Sequence, residues 1–352
     1  MARVTGRRTA IVTASVAAGA VAGGVIGRAV LNARRRALDP EARERLSALP
    51  PEDLGPVRSF DGTELDVRAS GPASGPVILF AHGFSLDMTS WHYQWTGLSE
   101  RFRCVSFDFR SHGRSQRAAH GDLSPSAFGH DLAAVLDAVA PDGSALLVGH
   151  SMGAMSILAM ADARPDLIGG RLAGVVFAGA TASDLLRGAM GSVTELLRPR
   201  IGSIRQAAER VNRLRRYVLS SPVDVGHLVA RMTQFGPHAS PHVVDYVVGL
   251  AADAPSEVWT DGLAGLMDLD LRHAVRLVRV PALVLVGEHD RVTPPSSAVT
   301  LAAELPDGRL QVIEGAGHIS MMEAHEEFNR HLALFADEVL SRRRRRPRKG
   351  SR

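Results

Sequence analysis

One serine lies in a setting that could make it a nucleophile. Gly149-His150-Ser151-Met152-Gly153 follows a short apolar run (SALLV) and begins a segment of helical character (SMGAMSILAMADA). A sharp strand-to-helix turn, with glycines where the chains must approach closely, would hold the serine hydroxyl at the edge of a sheet beside the positive end of a helix. The motif is short enough to arise by chance, so an ordinary glycine-rich turn remains the alternative until partner residues are found.

A carboxylate and an imidazole follow later predicted strands in the order that catalysis by a serine nucleophile needs. Asp290 comes just after a strand predicted at 282–286, and His318 follows a strand predicted at 310–313. The histidine could take the serine proton and return it to a leaving group, while a buried carboxylate would fix the imidazole tautomer. The sequence therefore predicts that Ser151, Asp290 and His318 act together.

Two backbone N–H groups are candidates to stabilise a negative charge on the reacting oxygen. Met152 directly follows the predicted nucleophile at the start of a helix. His82-Gly83-Phe84 follows a strand predicted at 77–81, and Gly83 would let the backbone turn there. We expect the N–H groups of Phe84 and Met152 to form an oxyanion hole.

The elements that must position these residues alternate between short apolar runs and segments of helical period. Strands are predicted at 64–69, 77–81, 104–107, 145–148, 172–177, 282–286 and 310–313, and helices near 124–139, 151–163, 295–304 and 322–340. An Asp-Gly pair at 61–62 predicts an antiparallel hairpin at the start of the sheet. The alternation predicts an α/β fold with a mostly parallel, doubly wound sheet.

One long stretch lacks predicted strands and contains amphipathic helical segments instead. It predicts a helical cap inserted over the carboxyl ends of the strands, where open sheets bind ligands. The predicted organisation is an N-terminal basic and apolar segment at 1–36, a linker at 37–56, the two core parts at 57–183 and 281–341, the cap at 184–280 and a basic disordered tail at 342–352.

Five segments resemble the α/β-hydrolase family, in family order over about residues 57–340: HGF, DFRSHGRS, GHSMG, GEHDRVTP and GAGH. The resemblance implies the α/β-hydrolase fold, the triad Ser151, Asp290 and His318, and an oxyanion hole from Phe84 and Met152. It also implies that the DFRSHGRS loop is mainly structural and that His82 and His150 support their loops. Asp184 is a conceivable alternative acid, although an entry position to the cap is the better interpretation of that residue.

The two ends of the chain contain basic residues and no acidic ones, and the body between them has a net negative charge, which argues against a nucleic-acid partner. The uncharged segment 9–27, flanked by arginines, is long enough to cross a bilayer as a helix. With the basic tail in contact with anionic headgroups, it predicts a membrane-associated protein with a single N-terminal anchor, on a side that is left open. An exported protein with a cleaved signal is the alternative, and a soluble terminal helix is a third.

The leading function is hydrolysis of carboxylic esters through an acyl-enzyme on Ser151, with lipophilic acyl esters expected as substrates. Carbon–carbon bond hydrolysis and cofactor-free perhydrolysis on the same triad are alternatives, and a non-catalytic ligand-binding protein is an alternative of another class.

No metal-ligand spacing or phosphate-binding glycine loop occurs in the sequence, so no metal and no cofactor are implied. The single cysteine, Cys104, excludes an internal disulfide and is expected in the core.

Overall fold

The computed structural model describes residues 38–141, 143–183, 225–267 and 269–344, without the side chains of 225–228 and 342–344. Residues 38–44 and 240–242 belong to a small unit, and the other described residues to a large one. The large unit contains an eight-stranded sheet. Its strands are β1 (Glu52–Arg58), β2 (Glu64–Ser70), β3 (Val77–Ala81), β4 (Arg103–Phe107), β5 (Ala145–His150), β6 (Leu172–Ala178), β7 (Ala282–Gly287) and β8 (Gly308–Ile313).

The sheet has the order β1-β2-β4-β3-β5-β6-β7-β8. β2 pairs antiparallel with both β1 and β4, and all later pairs are parallel. The chain passes from β3 to β4 on one side and then returns to place β5 on the other side of β3. The connections that leave β3 and β5 therefore diverge, and such a reversal opens a crevice at the carboxyl ends of the strands. The predicted α/β fold with a mostly parallel sheet is confirmed.

The opening hairpin was expected from Asp61-Gly62, but its first strand was not. Gly62 has a φ of 88° in the turn between β1 and β2, a conformation that glycine adopts readily. β1 lies largely within the predicted linker at 37–56 and is mostly exposed. Its proline and charges conceal it in the sequence, yet Pro56 is tolerated because β1 is an edge strand with an irregular register.

Helices cover both faces of the sheet. The helices are α1 (His92–Leu98), α2 (Pro125–Val139), α3 (Met152–Ala163), α4 (Pro165–Arg171), α5 (Val225–Gln234), α6 (Pro241–Asp253), α7 (Leu263–Met267), α8 (Arg272–Val275), α9 (Pro295–Glu304), α10 (Ser320–Glu323) and α11 (His325–Arg344). Local sequence defines several ends: Ser124 caps α2 through its hydroxyl, and Pro125 occupies the first turn, where no N–H partner is needed.

The hydrophobic core consists of two layers, one on each face of the sheet. On one face, Phe128 and Leu132 of α2 pack with Met155 of α3 against inward-facing residues of the strands. On the other face, Trp91 packs with Phe328 of α11. Buried strands flanked by two apolar layers explain why β3 to β7 appear in the sequence as continuous apolar runs.

The described part of the segment between β6 and β7 consists of helices joined by loops. It contains α5 to α8, together with a π-helical turn at Val258–Gly262. Residues 184–224, which form the first part of the predicted cap, lie outside the described residues. An isolated antiparallel bridge joins Ser183 to Asp270, so the two ends of the inserted segment meet.

The small unit contains a short helical turn at Pro40–Arg43. Asp39 caps this turn by accepting the N–H of Glu41. Its other carboxylate oxygen accepts the hydroxyl of Ser240 at 2.7 Å and the N–H of His242 at 2.9 Å. These bonds lower the pKa of Asp39 although burial alone would raise it.

The prediction of a membrane-associated protein with a single N-terminal anchor requires correction. Within the described ranges, no helix is both long and apolar enough to span a bilayer. α11 has 20 residues but carries charges along its length, and α2, with 15 residues, is shorter than the roughly 20 that a span requires. Residues 9–27, on which the anchor and the lipid contact were based, lie outside the described residues, as does most of the basic tail. An uncharged segment of sufficient length that is rich in alanine and glycine does not by itself establish a membrane-spanning helix.

Candidate active site

Ser151 occupies a strained turn between β5 and α3. Its φ of 49° and ψ of −113° are unusual for a residue with a side chain, and its N–H donates to the carbonyl of Ala178 on β6 at 2.9 Å. Close packing explains the glycines: a methyl group on Gly153 would lie 2.2 Å from the carbonyl oxygen of Ala81, and one on Gly149 would lie 2.6 Å from that of Gly153. Close packing of the surrounding backbone therefore holds Ser151 in the strained turn.

Asp290 and His318 come together from the loops that follow β7 and β8. Nδ1 of His318 lies 2.8 Å from Oδ2 of Asp290, and both side chains are buried. A carboxylate oxygen can only accept, so Nδ1 carries the proton and Nε2 is left with a free lone pair. This is the tautomer that can receive a proton from a hydroxyl group.

Thr293 completes the surroundings of the Asp290 carboxylate. Its hydroxyl donates to Oδ2 at 2.8 Å and lies 3.3 Å from Nδ1 of His318. Oδ1 accepts the N–H groups of Val292 and Thr293. Burial alone would raise the pKa of Asp290, but the charge and hydrogen bond of His318 and the bonds from Thr293 lower it below its ordinary value. Asp290 is therefore held as an anion.

The loop of His318 adjoins the turn of Ser151. The Nε2–H of His150, the residue before Ser151, donates to the carbonyl of His318 at 3.0 Å. Ala178, which binds the N–H of Ser151, is followed by Gly179, where a methyl group would lie 3.1 Å from Cε1 of His318. Burial and the proximity of His318 lower the pKa of His150 to about 3, so its imidazole is neutral. The three loops that carry Ser151, Asp290 and His318 thus meet at one edge of the sheet.

The loop that follows β3 packs against the same turn. A methyl group on Gly83 would lie 2.5 Å from Nδ1 of His150, which explains the glycine at this position. His82 joins the loop to its neighbour, because its Nδ1–H donates to the carbonyl of Gly83 and its Nε2 accepts the N–H of Phe109. Phe84 lies just beyond, with its ring in edge contact with that of Trp259 at 5.2 Å.

Met152 is the first residue of α3 and has no carbonyl partner one helical turn earlier. Its N–H is therefore at the positive end of that helix, which favours negative charge.

The DFRSHGRS loop is built from buried ion pairs and turns. Arg110 binds Asp131 through Nε at 2.9 Å and Nη2 at 2.7 Å, and Asp61 through Nη1 at 2.9 Å. Asp108 accepts the N–H groups of Met88 and Arg114. These contacts tie the hairpin, α2 and the loop after β3 together, which agrees with the structural role that the resemblance implied.

Two residues that support the site, Thr293 and Glu323, were not predicted from the sequence. Thr293 bonds Asp290, and Glu323 accepts the N–H of Gly317, which precedes His318. The short distance from Asp290 to Thr293 along the chain is a usable signal, since Asp side chains often bond N–H groups two or three residues later. Asp184, the alternative acid, lies outside the described residues.

Comparisons with known proteins point to one family of enzymes. A family model described as "Alpha/beta hydrolase family" matches residues 78–331. A non-heme chloroperoxidase of Streptomyces lividans is 28% identical over 281 residues, which are 78% of this chain and 96% of the relative. The bifunctional esterase/perhydrolase DCH of Acinetobacter calcoaceticus is 28% identical over 286 residues, covering 80% of this chain and 99% of the relative.

A solved thermophilic esterase from Thermogutta terrifontis is similar in structure, with a TM-score of 0.66 and 25% identity over 82% of this chain and 99% of the esterase. The family match covers well over half of the chain and includes β3 to β8. The protein belongs to the alpha/beta hydrolase family.

Proposed function

We propose that this protein is a serine hydrolase that cleaves carboxylic esters through an acyl-enzyme on Ser151. The observation that carries the proposal is the 2.8 Å bond between His318 and Asp290, on a loop that the neighbour of Ser151 also contacts. The similarity to enzymes named esterases supports the same class of reaction.

Acylation starts when Nε2 of His318 takes the proton of Ser151 as Oγ attacks the ester carbonyl carbon. The electron pair of the C=O bond moves to oxygen, where the N–H groups of Phe84 and Met152 stabilise it. The tetrahedral intermediate collapses by breaking the bond to the alcohol, which leaves with the proton from His318. Asp290 stabilises the imidazolium that forms in between.

Deacylation repeats the sequence with water in place of Ser151. His318 takes a proton from water, the resulting hydroxide attacks the acyl carbon, and Ser151 leaves with that proton. The products are a carboxylic acid and an alcohol. Nothing in these steps needs a group beyond the side chains and N–H groups named.

The test is covalent labelling with a fluorophosphonate, combined with hydrolysis of p-nitrophenyl esters. We expect labelling of the full chain and loss of both signals in Ser151→Ala, with residual hydrolysis about 10³-fold or more below wild type. Ser156→Ala is a matched control, because this buried serine on α3 bonds the carbonyl of Met152 within its own helix. Labelling that persists in Ser151→Ala would contradict the proposal, and absence of labelling in the wild type would favour a ligand-binding protein.

The same hydrolysis assay also tests which acyl chain length the protein prefers. The preference for lipophilic esters was based partly on the predicted anchor, and that support is withdrawn with the anchor. A series from acetate to palmitate esters measures the preference directly, since each methylene bound in an apolar site contributes about 0.8 kcal/mol.

Cofactor-free perhydrolysis is a second candidate, favoured by the similarity to a bifunctional esterase/perhydrolase and a non-heme chloroperoxidase. Hydrogen peroxide would replace water in deacylation and give a peracid. Formation of peracid from an ester and peroxide by the wild type, absent in Ser151→Ala, would establish it. Release of acid alone at high peroxide would exclude it.

A further inference from the structure

Glu323, a half-buried carboxylate at the end of α10, joins two backbone segments that are far apart in sequence. Oε1 accepts the N–H of Gly317 at 3.0 Å, and Oε2 accepts the N–H of Gly236 at 2.6 Å. Gly317 precedes His318, whereas Gly236 lies just after α5 in the inserted segment. One side chain therefore connects the histidine loop to the inserted helices.

The two segments also contact each other directly. The N–H of His318 donates to the carbonyl of Gln234 at 2.7 Å. A methyl group on Gly317 would lie 2.6 Å from Cα of Phe235, and one on Gly236 would lie 2.0 Å from the carbonyl oxygen of Gly315. The backbones thus approach as closely as glycine allows, and the position of His318 depends on this junction.

The charges around Glu323 are few. Arg231 on α5 bonds the carbonyls of Gly236 and Pro237 and acts on the carboxylate through its charge. Along the chain, the nearest titratable groups are His325 and Glu326 at the start of α11, and His318 lies five residues before Glu323. Burial raises the pKa of Glu323 to about 7, against the lowering effect of the two glycine N–H groups and Arg231. The carboxylate therefore changes its protonation near neutral pH.

We propose that Glu323 is a positioning residue for His318, which it holds in place by clamping the histidine loop to the inserted segment at Gly236. The proposal rests on the proposed function of Ser151 and His318. An ionised carboxylate accepts both N–H groups in charge-assisted bonds, whereas a protonated one presents a neutral hydroxyl, a weaker acceptor, to one of the two donors. Loss of either bond frees the histidine loop, and His318 then spends less time in reach of Ser151.

Glu323→Gln is the decisive variant, because glutamine has the shape of a protonated glutamate, with one acceptor and one donor. We expect kcat to fall about tenfold at pH 8.5 with KM little changed, as for a group that acts through orientation. The ratio of wild-type to variant rates should fall to about 2 at pH 6, because the wild type then carries the protonated carboxyl in most molecules.

Glu288→Gln is the matched control. Oε2 of Glu288 accepts the N–H of Gly315 at 3.0 Å in the same loop, but its side chain is half exposed. We expect a ratio to wild type near one at every pH. Should Glu323→Gln not fold, Glu323→Asp keeps the charge with a shorter reach, and we expect a smaller loss that still disappears toward pH 6.

The rate at which fluorophosphonate labels Ser151 is measured for the wild type and each variant, in addition to the rate of ester hydrolysis. A ratio for Glu323→Gln that stays constant with pH, or stays near one, would overturn the clamp while leaving the proposed function intact. Absence of labelling in the wild type would instead remove the proposed function. The two failures are therefore distinguishable.

Discussion

At the scale of single residues, the site depends on backbone strain that neighbouring contacts compensate. Ser151 shares a positive φ with Ser85 and Ser111, which lie in the loops after β3 and β4. Such conformations cost on the order of 1–3 kcal/mol each and persist only where the surroundings hold them. At Ser151 the bond to Ala178 and the close approach of Gly153 to Ala81 supply that support.

Thr293 provides a residue-scale prediction about the carboxylate that orients His318. Thr293→Val removes the hydroxyl bond to Oδ2 of Asp290 but keeps the backbone N–H bond to Oδ1. Hydrogen bonds to charged groups contribute about 1.5–3 kcal/mol, so we expect kcat/KM for p-nitrophenyl acetate to fall at least tenfold and up to about a hundredfold. Thr293→Ser keeps the hydroxyl and should retain most of the activity. An equal loss in Thr293→Ser would contradict this assignment, because that variant keeps the hydroxyl group.

At the scale of elements, the inserted segment acts on the site through the π-helical turn Val258–Gly262. Trp259 is fixed by a bond from its indole N–H to the carbonyl of Ala251, and its ring contacts Phe84. A methyl group on Gly262 would lie 3.4 Å from the same phenylalanine ring. Phe84, whose N–H is a proposed oxyanion donor, is therefore packed against the inserted segment.

Trp259→Ala should loosen this support. Because removal of an oxyanion donor costs 10²–10³ in kcat, we expect partial displacement of Phe84 to lower kcat about tenfold while KM changes little. Trp259→Phe keeps an aromatic edge contact and serves as the matched control, with activity within about threefold of wild type. A change confined to KM would indicate that Trp259 contacts the substrate instead.

At the scale of the whole molecule, buried neutral histidines make the stability depend on pH. Burial lowers the pKa of His112 to about 4 from an ordinary value of 6.5. The unfolded chain therefore takes up this proton at a higher pH than the folded protein does. Stability is lost as the pH falls from 6.5 toward 4, by up to about 1.4 kcal/mol per pH unit for this histidine. Buried acids with raised pKa values, such as Asp108, act in the opposite direction.

Comparing the wild type with a variant that lacks His112 isolates the contribution of this histidine to the pH dependence of stability. In His112→Asn the amide nitrogen takes the place of Nδ1, which bonds the carbonyl of Arg110 at 2.9 Å. We expect the free energy of unfolding in urea to fall less steeply between pH 6.5 and 4.5 than in the wild type, by about 1.4 kcal/mol per pH unit. The exposed His120 offers the control His120→Asn, which should leave the slope unchanged. Parallel pH dependences for the wild type and His112→Asn would contradict this account.

The sequence by itself determined the parallel core of the sheet and the local setting of Ser151. Both depend on neighbours in the chain: apolar runs define buried strands, and two glycines around a serine define a turn. The edge strand β1 was missed for the same reason, because an exposed strand with Pro56 carries no apolar run. A membrane anchor was predicted from length and lack of charge alone, which do not suffice.

Only the tertiary structure decided which side chains and carbonyls meet at the site. The bonds of Glu323 to Gly236, of His318 to Gln234 and of His150 to the carbonyl of His318 join residues that are between 84 and 168 positions apart. Nothing in local patterns records such pairs, because they depend on how the inserted helices pack against the loops after β5 and β8. The sequence could name the residues able to react, and the packing of distant segments determines how they are held.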